Sequence, residues 1–284
     1  MEAAAKNIAI VCNPIAGAGR SIILAQKISE ELSKKQIVHS VFKESWPGNF
    51  NGFTDVWIVG GDGTLNYFIN QYPDIKTPLA IFNGGTGNDV HWLLYANKNF
   101  AEQLELVLTT AAKPIDAGRC NEKLFINGVG IGFEGAVAES VAGKKKKPGK
   151  TSFLVAVLKK IFSYHSKSYS LRSEEMTKQG KYLMISISNG RRAGGGFHIA
   201  PIAKADDGLL DVTLIKAISP VFRLRWLPVI EKGKHLHLSF ISHFTTQKII
   251  IESAQMMQTH LDGEICKSRR LEIEILPAQL LFRY

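Results

Sequence analysis

A glycine-rich segment with a single carboxylate, Gly60-Gly61-Asp62-Gly63-Thr64, follows a short apolar run and has the composition of a phosphate-binding turn. Glycines let backbone N–H groups approach phosphate oxygens, and a helix that begins near Thr64 would point its positive end at the anion. Asp62 would then lie beside the phosphates, where a carboxylate serves as a ligand for Mg²⁺ or as a proton acceptor. The alternative is a tight strand-to-helix turn that Asp62 only caps.

Two further glycine-bearing loops follow apolar runs in the first half of the chain. The loop Asn13 to Gly19 offers a second backbone cradle, and Arg20 after it is available to a phosphate. This loop is not a dinucleotide fingerprint, because Ile22 stands where G-x-G-x-x-G requires its third glycine. The third loop, Gly85 to Asp89, places a hydroxyl, an amide and a carboxylate at a predicted helix start. A helix cap by its threonine or its asparagine alone would also account for that loop.

The elements around these loops alternate between strand and helix. The apolar runs are short, continuous and rich in β-branched residues, as in parallel strands that are covered on both faces. A helix is predicted from about Ser21 to Leu32. In an open α/β sheet, the loops that follow such strands lie together at the carboxyl edge, where ligands bind. The predicted strands are 8–11, 37–42, 56–59 and 79–82.

From about Arg119 the pattern changes to strand-like segments separated by turn signals, which predicts a mostly antiparallel β-sandwich. Two helical stretches interrupt it, at about 151–162 and 220–231. We therefore predict an α/β nucleotide-binding domain over residues 1–118 and a β-sandwich domain over residues 119–284, and leave open a return of the C-terminal tail to the first domain. The predicted strands of the second domain are 123–131, 182–188, 209–215, 236–241, 248–252 and 271–276.

Two acidic turns stand out in the second half of the chain. The turn Asp206-Asp207-Gly208-Leu209 could bind a hard cation through Asp207 and backbone carbonyls. The turn Leu261-Asp262-Gly263-Glu264 could deliver a carboxylate that acts as a general base. Either segment could also be a plain β-turn, since Asp-Gly is a favoured hairpin pair.

Two other patterns carry weaker signals. The segment Gly143 to Thr151 resembles a Walker A loop, but five residues separate its glycines where that loop has four. We interpret it as a solvated basic loop, whose Lys144–Lys147 run could contact anionic lipid headgroups. The pair His235-x-His237 alternates along a predicted strand and has no cysteine or carboxylate at ligand spacing, so we interpret it as a strand face and not as a metal site.

The composition limits the class of protein. There are 35 Lys+Arg against 25 Asp+Glu, and the formal net charge of +10 favours anionic partners such as a membrane surface, a polyphosphate or nucleic acid. A hydrophobic content of 45% with 10 prolines argues against intrinsic disorder. The three cysteines are far apart and argue against a disulfide scaffold. No signal peptide is evident and no apolar run reaches the roughly 18 residues of a membrane span, so we expect a cytoplasmic protein.

Taken in order, the motifs resemble those of the diacylglycerol kinase catalytic-domain family, which includes bacterial diacylglycerol and related lipid kinases and the sphingosine and ceramide kinases. The motif GGDGT alone is shared with NAD kinases and phosphofructokinases, whereas the complete series is highly specific. The resemblance implies a two-domain kinase with a Rossmann-like nucleotide domain and an active site in the cleft between the domains. The motifs are NPIAGAGR, GGDGTLN, GTGND, FINGVGIGFEGAVA, GGGFHIAPIAKADDGLLDV and LDGE.

The resemblance also implies roles for single residues, with ATP as the phosphoryl donor and Mg²⁺ as the metal. Glu264 corresponds to the carboxylate that deprotonates the acceptor, and Asp62 is expected to orient Mg²⁺ or the γ-phosphoryl group. The implied Mg²⁺ ligands are Asp207, the carbonyl of Leu209 and a main-chain group near Lys204. The implied ATP contacts are Asn13, Pro14, Ile15, Ala16, Gly17, Gly60, Gly61, Asp62, Gly63, Thr64, Leu65, Asn66 and Thr86.

Two positions depart from the family pattern and concern the adenosine side of the site. Glu44 or Ser45 stands where a threonine that contacts ATP is common, and Asn83-Gly84 opens the third loop in place of the usual pair. The phosphate chemistry is unaffected by either.

The expected acceptor is a hydroxylated lipid at the inner face of a membrane, reached by peripheral contact. Residues 144–162 could form a basic, amphipathic docking element, with a helix packed on the β-domain as the alternative. No nucleic-acid partner is expected, because aromatic residues are not interleaved with Arg or Lys on one sheet. A homodimer is left open. The alternative functions are an NAD-kinase-like phosphotransferase and a non-catalytic module that binds nucleotides or nucleic acid.

Overall fold

Two units make up the part of the chain that the computed structural model describes, which is residues 6–142 and 150–284. The first unit comprises Met1–Ile115 together with Ala278–Tyr284, and the second comprises Asp116–Pro277. The run Lys144–Lys147 and most of the Walker-like segment lie outside the described residues.

A parallel sheet forms the centre of the first unit. Its strands are β1 (Asn7–Cys12), β2 (Val38–Phe42), β3 (Asp55–Gly60) and β4 (Leu79–Asn83). They lie in the order β4-β3-β1-β2, and Trp57 of β3 stands opposite both Ile10 and Ala80. Every residue of β3 is buried, as expected of a parallel strand covered on both faces. The predicted buried parallel sheet is confirmed.

The helices of the first unit follow the strands as the sequence pattern indicates. Helix α1 (Arg20–Lys34) buries Ala25, Ile28 and Leu32, whose spacing of three and four residues puts them on one face. Helix α2 (Asp62–Gln71) starts directly after β3, and α3 (Asp89–Tyr95) starts after the third glycine loop. Helix α4 (Phe100–Thr109) was not predicted, although a capping box fixes its start.

The C-terminal residues belong to the first unit and are anchored there by buried polar contacts. Phe282 pairs in parallel with Leu79 at the edge of β4. The guanidinium of Arg283 pairs with the fully buried carboxylate of Asp55 and donates to the carbonyl of Thr110 at 2.6 Å. A buried carboxylate needs such a cationic partner, because an unpaired charge in the interior is costly.

The second unit is built on antiparallel strands, which confirms the predicted sheet type. They run in the order β11-β10-β9-β7-β12-β13, and β8 pairs with both β9 and β12. Three helices accompany them: α5 (Phe133–Val141), α6 (Lys150–Ser163) and α7 (Pro220–Glu231). The strands from residue 112 onward, of which β5 begins and β13 ends in the first unit, are β5 (Ala112–Cys120), β6 (Lys123–Phe125), β7 (Gly128–Gly132), β8 (Lys167–Ser173), β9 (Thr177–Ser188), β10 (Leu210–Lys216), β11 (Ile241–Thr246), β12 (Lys248–Leu261) and β13 (Glu264–Arg283).

Two strand predictions in this unit are wrong. The predicted strand 236–241 is a series of turns, in which Leu238 donates to the carbonyl of His235 and Ile241 donates to that of Leu238. His235 is fully buried, its Nε2 lies 3.1 Å from the carbonyl oxygen of Ile199, and burial lowers the pKa of the ring. The interpretation of His235-x-His237 as an ordinary strand face is therefore corrected, since one ring is a buried anchor and the other is exposed in a turn.

The other wrong prediction is a single strand over 123–131. It is divided into β6 and β7, because the amides of Ile126 and Asn127, which lie between the two strands, and that of Gly128 at the start of β7 bind the carboxylate of Asp262.

All three cysteines are free thiols, and burial raises the pKa of Cys120 to about 12. Within residues 6–142 and 150–284, no helix combines the length and the apolar character needed to cross a membrane.

Candidate active site

The three glycine loops of the first unit contact one another at the carboxyl ends of β1, β3 and β4. The Asn13 side-chain amide donates to the Thr64 hydroxyl at 3.2 Å, which joins the first loop to the second. The backbone N–H of Gly84 donates to the carbonyl of Gly60 at 2.9 Å, which joins the third loop to the second. The predicted convergence of the loops at one sheet edge is thus present in the structure.

Arg20 joins the first loop to the third. Its Nη2 donates to the carbonyl of Gly85 at 2.7 Å and its Nε donates to that of Gly17 at 3.0 Å. Ser21, the next residue, donates its hydroxyl to the carbonyl of Asn13 at 2.5 Å. The sequence analysis left Arg20 available to a phosphate, whereas in the structure two of its donors hold loop carbonyls.

Glycine is required where the loops approach most closely. A Cβ on Gly85 would lie 2.3 Å from the Cα of Gly61, so the backbones of the second and third loops touch. A Cβ on Gly17 would lie 2.2 Å from the carbonyl oxygen of Gly84, and the φ of Gly17 is +58°. These contacts keep three sets of backbone N–H groups close together, which is the arrangement that captures phosphate oxygens.

The carboxylate of Asp62 caps α3, the helix that follows the third loop. Its Oδ2 accepts from the backbone N–H of Asp89 at 2.9 Å and its Oδ1 accepts from that of Val90 at 3.0 Å. Both amides belong to the first turn of α3, where a carboxylate satisfies free donors and complements the helix dipole. The carboxylate therefore fixes the third loop, and its predicted part in catalysis stays a prediction.

The proposed ATP contacts differ in what they can offer to a ligand. Pro14, Ile15, Gly63 and Thr86 are exposed, so their groups are accessible to a nucleotide. Leu65 is buried in the core and could contribute only its backbone. The remaining predicted contacts are half-buried or buried in the same loops: Asn13, Ala16, Gly17, Gly60, Gly61, Asp62, Thr64 and Asn66.

Asn88, which precedes α3, has an unexpected environment. Its backbone is left-handed, with φ of +55°, and it makes no side-chain cap to the helix. Its Oδ1 atom is buried and has no hydrogen-bond partner among the described residues. The alternative in which Asn88 merely caps α3 is therefore not what the structure contains.

In the second unit, backbone amides of a distant segment bind the carboxylate of Asp262 and so hold the Asp262-Gly263 turn in place. The Asp262 carboxylate accepts three backbone N–H groups, from Ile126 at 2.8 Å, Asn127 at 3.0 Å and Gly128 at 2.8 Å. Both turn residues have positive φ, +47° for Asp262 and +92° for Gly263. Glu264 follows as the exposed first residue of β13. This turn is more than a plain hairpin, because a side chain ties it to a distant loop.

The second acidic turn offers oxygen donors at the surface. Lys204 and Asp207 are exposed, and the Oδ1 of Asp207 accepts from the backbone N–H of Leu209 at 3.1 Å. The buried carboxylate of Asp116 accepts from the N–H of Gly208 at 2.7 Å and fixes the turn from below. One carboxylate with main-chain carbonyls is a donor set that suits a hard cation which keeps several waters. Among the described residues, no group of three or more His, Cys, Asp or Glu side chains is arranged so that it could hold a metal ion.

An apolar cavity lies inside the second unit. It encloses about 640 Å³ of free space, part of it open to solvent, and only Glu134 and Arg223 among its wall residues are charged. Arg223 is held in place because its guanidinium donates to the carbonyls of Ile161 at 2.8 Å and Tyr164 at 2.7 Å. The apolar wall residues are Phe133, Val137, Val157, Ile161, Leu183, Met184, Ala193, Phe197, Ile199, Ile215, Ile218, Leu227 and Ile230.

Comparison with known proteins agrees with this arrangement of two units. Residues 7–120 match the model of the diacylglycerol kinase catalytic domain, and residues 127–282 match that of the YegS C-terminal NAD kinase beta sandwich-like domain. The fold and the loops thus define a two-domain protein with a kinase-type catalytic domain. The chain belongs to the diacylglycerol kinase catalytic-domain family.

Individual relatives support the same assignment. A protein of Shewanella frigidimarina described as "Probable lipid kinase YegS-like" is 32% identical over 80% of this chain and 75% of its own length. A protein of the same description from Pseudomonas aeruginosa strain UCBPP-PA14 is 31% identical over 81% of this chain and 76% of its own. A crystal structure of a Bacillus anthracis str. Sterne protein shares the fold with a TM-score of 0.79 at 23% identity, covering 99% of this chain and 95% of that one.

Proposed function

We propose that this protein transfers the γ-phosphoryl group of ATP to a hydroxyl group of a lipid. The observation that carries the proposal is the convergence of three glycine loops, with Asn13, Thr64 and Arg20 linking them. Phosphoryl transfer asks a protein mainly for positioning and charge neutralisation, and closely spaced backbone amides supply both. The names of the relatives, which are lipid kinases, support the class of acceptor.

Mg²⁺ is part of the proposal, with two sets of residues suited to it. Asp62 lies in the second glycine loop, and its carboxylate oxygens are hard donors of the kind that Mg²⁺ takes. Asp207, with the carbonyl of Leu209 and a main-chain group near Lys204, offers the hard oxygen donors that Mg²⁺ takes. When bound, the metal would neutralise phosphate charge during transfer.

Glu264 is the proposed proton acceptor for the attacking hydroxyl. It is an exposed carboxylate, and the turn before it is fixed by three hydrogen bonds to Asp262. A general base must reach the proton that it removes, so a fixed turn with an accessible carboxylate fits this task.

The apolar cavity of the second unit supports a lipid over a soluble acceptor. A pocket that binds a hydrocarbon needs apolar walls with a small number of polar groups, and this cavity has that composition. NAD, the acceptor in the alternative function, is polar and charged and gains nothing from such walls.

The direct test offers several acceptors to the purified protein with ATP labelled in the γ-phosphate. We expect label in the lipid products of a total membrane extract, identified by mass spectrometry, and none in NAD or RNA added in their place. Removal of Mg²⁺ by a chelator should abolish the transfer. Label in NAD with none in lipid would establish the NAD-kinase-like alternative instead.

A matched pair of valines on α6 tests the cavity as the acceptor site. Val157 is 4% exposed and lines the cavity, whereas Val155 is 47% exposed on the same helix. A Val157→Phe variant fills part of the cavity, so the KM for the lipid should rise about tenfold while the KM for ATP stays constant. The Val155→Phe variant is the control, and equal effects of the two changes would argue against the cavity.

We also propose that helices α6 and α7 contact the membrane surface from the cytoplasmic side. The two helices expose Val155, Leu158 and Phe162 on α6 and Val221, Phe222 and Leu224 on α7. Lys159 and Arg225 are exposed on the same two helices. Apolar residues mixed with cations are what a helix needs to enter the headgroup region of an anionic bilayer. The formal net charge of +10 also favours binding to an anionic bilayer.

A double variant tests this contact. Phe162→Ser with Phe222→Ser should reduce sedimentation with vesicles of anionic phospholipid by at least tenfold, because about 0.8 kcal/mol is lost per CH₂ withdrawn from the bilayer and about 1.4 kcal/mol corresponds to a factor of ten. Ile23→Ser, at a side chain that is 72% exposed on α1, is the control. Vesicle binding that is equal for all three proteins, or insensitive to salt and to anionic lipid, would contradict docking through these helices.

A further inference from the structure

A buried histidine and a buried glutamate pair next to the turn that carries Glu264. His260 lies on β12, two residues before Asp262, and its Nε2 is 3.3 Å from the Oε1 of Glu134 in the first turn of α5. The side chains are 11% and 9% exposed. The second carboxylate oxygen of Glu134 has no hydrogen-bond partner among the described residues. Burying a pair of polar side chains costs free energy of folding, and this cost is recovered only when the geometry of the pair is favourable.

The other ring nitrogen of His260 binds the turn itself. The backbone N–H of Gly263 donates to Nδ1 of His260 at 3.2 Å. Nδ1 must therefore carry a lone pair, which places the ring hydrogen on Nε2, the nitrogen that lies 3.3 Å from the Oε1 of Glu134. A carboxylate beside Nε2 favours this ring form, which can hold Gly263, the residue directly before Glu264.

The sheet leaves room for this arrangement at one glycine. Gly130 on β7 stands opposite His260, and a Cβ there would lie 2.4 Å from Nε2 of the ring and 2.5 Å from Cδ of Glu134. The two side chains therefore meet directly above the backbone of Gly130. The contact between these two side chains requires a glycine at position 130. The reason is the lack of space for a Cβ, since the backbone of Gly130 is not left-handed.

We propose that His260 is a positioning residue for Glu264 and that Glu134 orients His260. This inference rests on the proposed role of Glu264 as the proton acceptor. The Asp262 carboxylate fixes one side of the turn, and the His260 ring holds the backbone N–H of Gly263, the residue before Glu264. An error of about 1 Å in the placement of a reacting group lowers a rate by about 100-fold, so a second anchor on the turn has a kinetic effect.

Two substitutions of His260 separate positioning from general stability. Asn places its Oδ1 where Nδ1 of the ring lies and can still accept from Gly263, whereas Gln reaches only the place of Nε2. We expect His260→Gln to lower kcat for lipid phosphorylation about 30-fold with an unchanged KM for ATP. We expect His260→Asn to stay within about threefold of the wild type. A merely structural histidine would make both variants equally impaired.

The orienting residue is tested in the same way. Glu134→Gln keeps an oxygen that can accept from Nε2 of His260, whereas Glu134→Leu removes the acceptor and keeps the bulk. We expect a loss of about tenfold in kcat for the Leu variant alone. His243→Gln is the control, because His243 forms a similar half-buried pair with Asp211 at 2.6 Å on β11 and β10. It should change stability and leave kcat as it is.

Amide hydrogen exchange of Gly263 gives a readout that does not depend on activity. Exchange of this N–H should be about tenfold faster in His260→Gln than in the wild type and in His260→Asn. Equal exchange in the two variants overturns the inference whether or not the protein phosphorylates lipids. Different exchange with equal kcat also overturns it. If the exchange differs as expected and Glu264→Gln remains fully active, the proposed base is wrong and the anchor is only structural.

Discussion

Replacement of Glu264 by Gln is expected to lower kcat for lipid phosphorylation by about a thousandfold, which lies within the range that general bases contribute. Gln has nearly the same shape and keeps the exposed position at the start of β13, but it accepts no proton at neutral pH. The KM for ATP should stay within twofold of the wild type, because all proposed ATP contacts lie in other loops. Steady-state rates at saturating ATP and lipid measure the effect.

A second glutamate on the same strand provides the control. Glu272 of β13 is half-buried with a side chain that is 40% exposed, and it forms ion pairs with Lys248 at 2.6 Å and Arg270 at 3.4 Å. Glu272→Gln should leave kcat unchanged, since exposed ion pairs contribute little to stability. If Glu264→Gln kept more than a tenth of the wild-type kcat, the proton would have to be removed by another group.

The sequence predicted the helices and strands that are determined by short stretches of adjacent residues. Helix α7 begins with Pro220 and extends as predicted to Glu231. Proline is favoured in the first turn of a helix, so this single residue indicates where the helix starts. The strands β1, β3 and β4 were predicted from short apolar runs that are buried on both faces. The glycine loops after them converge because parallel strands place their carboxyl ends at one edge.

The sequence could not predict the contacts that join distant segments. Asp262 binds amides more than 130 residues away, and this binding divides a stretch that reads as one strand into β6 and β7. The segment after His235 alternates like a strand, yet burial of that ring against Ile199 turns it away from any sheet. Local pattern is overridden in both places by a polar contact made across the fold.

The candidate site likewise contains residues that the sequence identified and partners that only the fold brings to them. Glycine-rich composition at strand ends identified the three loops, whereas Glu264 of the Asp262-Gly263-Glu264 turn was assigned as the base by the resemblance to the diacylglycerol kinase family. The partners of these residues were missed. Nothing in the sequence near Asp62 indicates that its carboxylate caps α3, and Glu134 and His260 are separated by 126 positions that the fold alone brings together.

The second large effect is expected for Gly85→Ala, which should weaken ATP binding about 100-fold. The new Cβ would lie 2.3 Å from the Cα of Gly61, and backbone cannot yield as a flexible side chain can. The second and third loops must therefore separate, and their amides lose the common geometry that binds a triphosphate. Calorimetric titration with a non-hydrolysable ATP analogue measures the change in Kd.

The control glycine distinguishes a site effect from a general effect of alanine. A Cβ on Gly48 meets no atom within 4 Å, so Gly48→Ala should bind the analogue as the wild type does. Thermal unfolding of the two variants shows whether Gly85→Ala remains folded, and the comparison of Kd values is made at a temperature where both are native. Unchanged affinity in a folded Gly85→Ala protein would mean that the nucleotide is bound elsewhere, because the three loops cannot keep their contacts around an added methyl group.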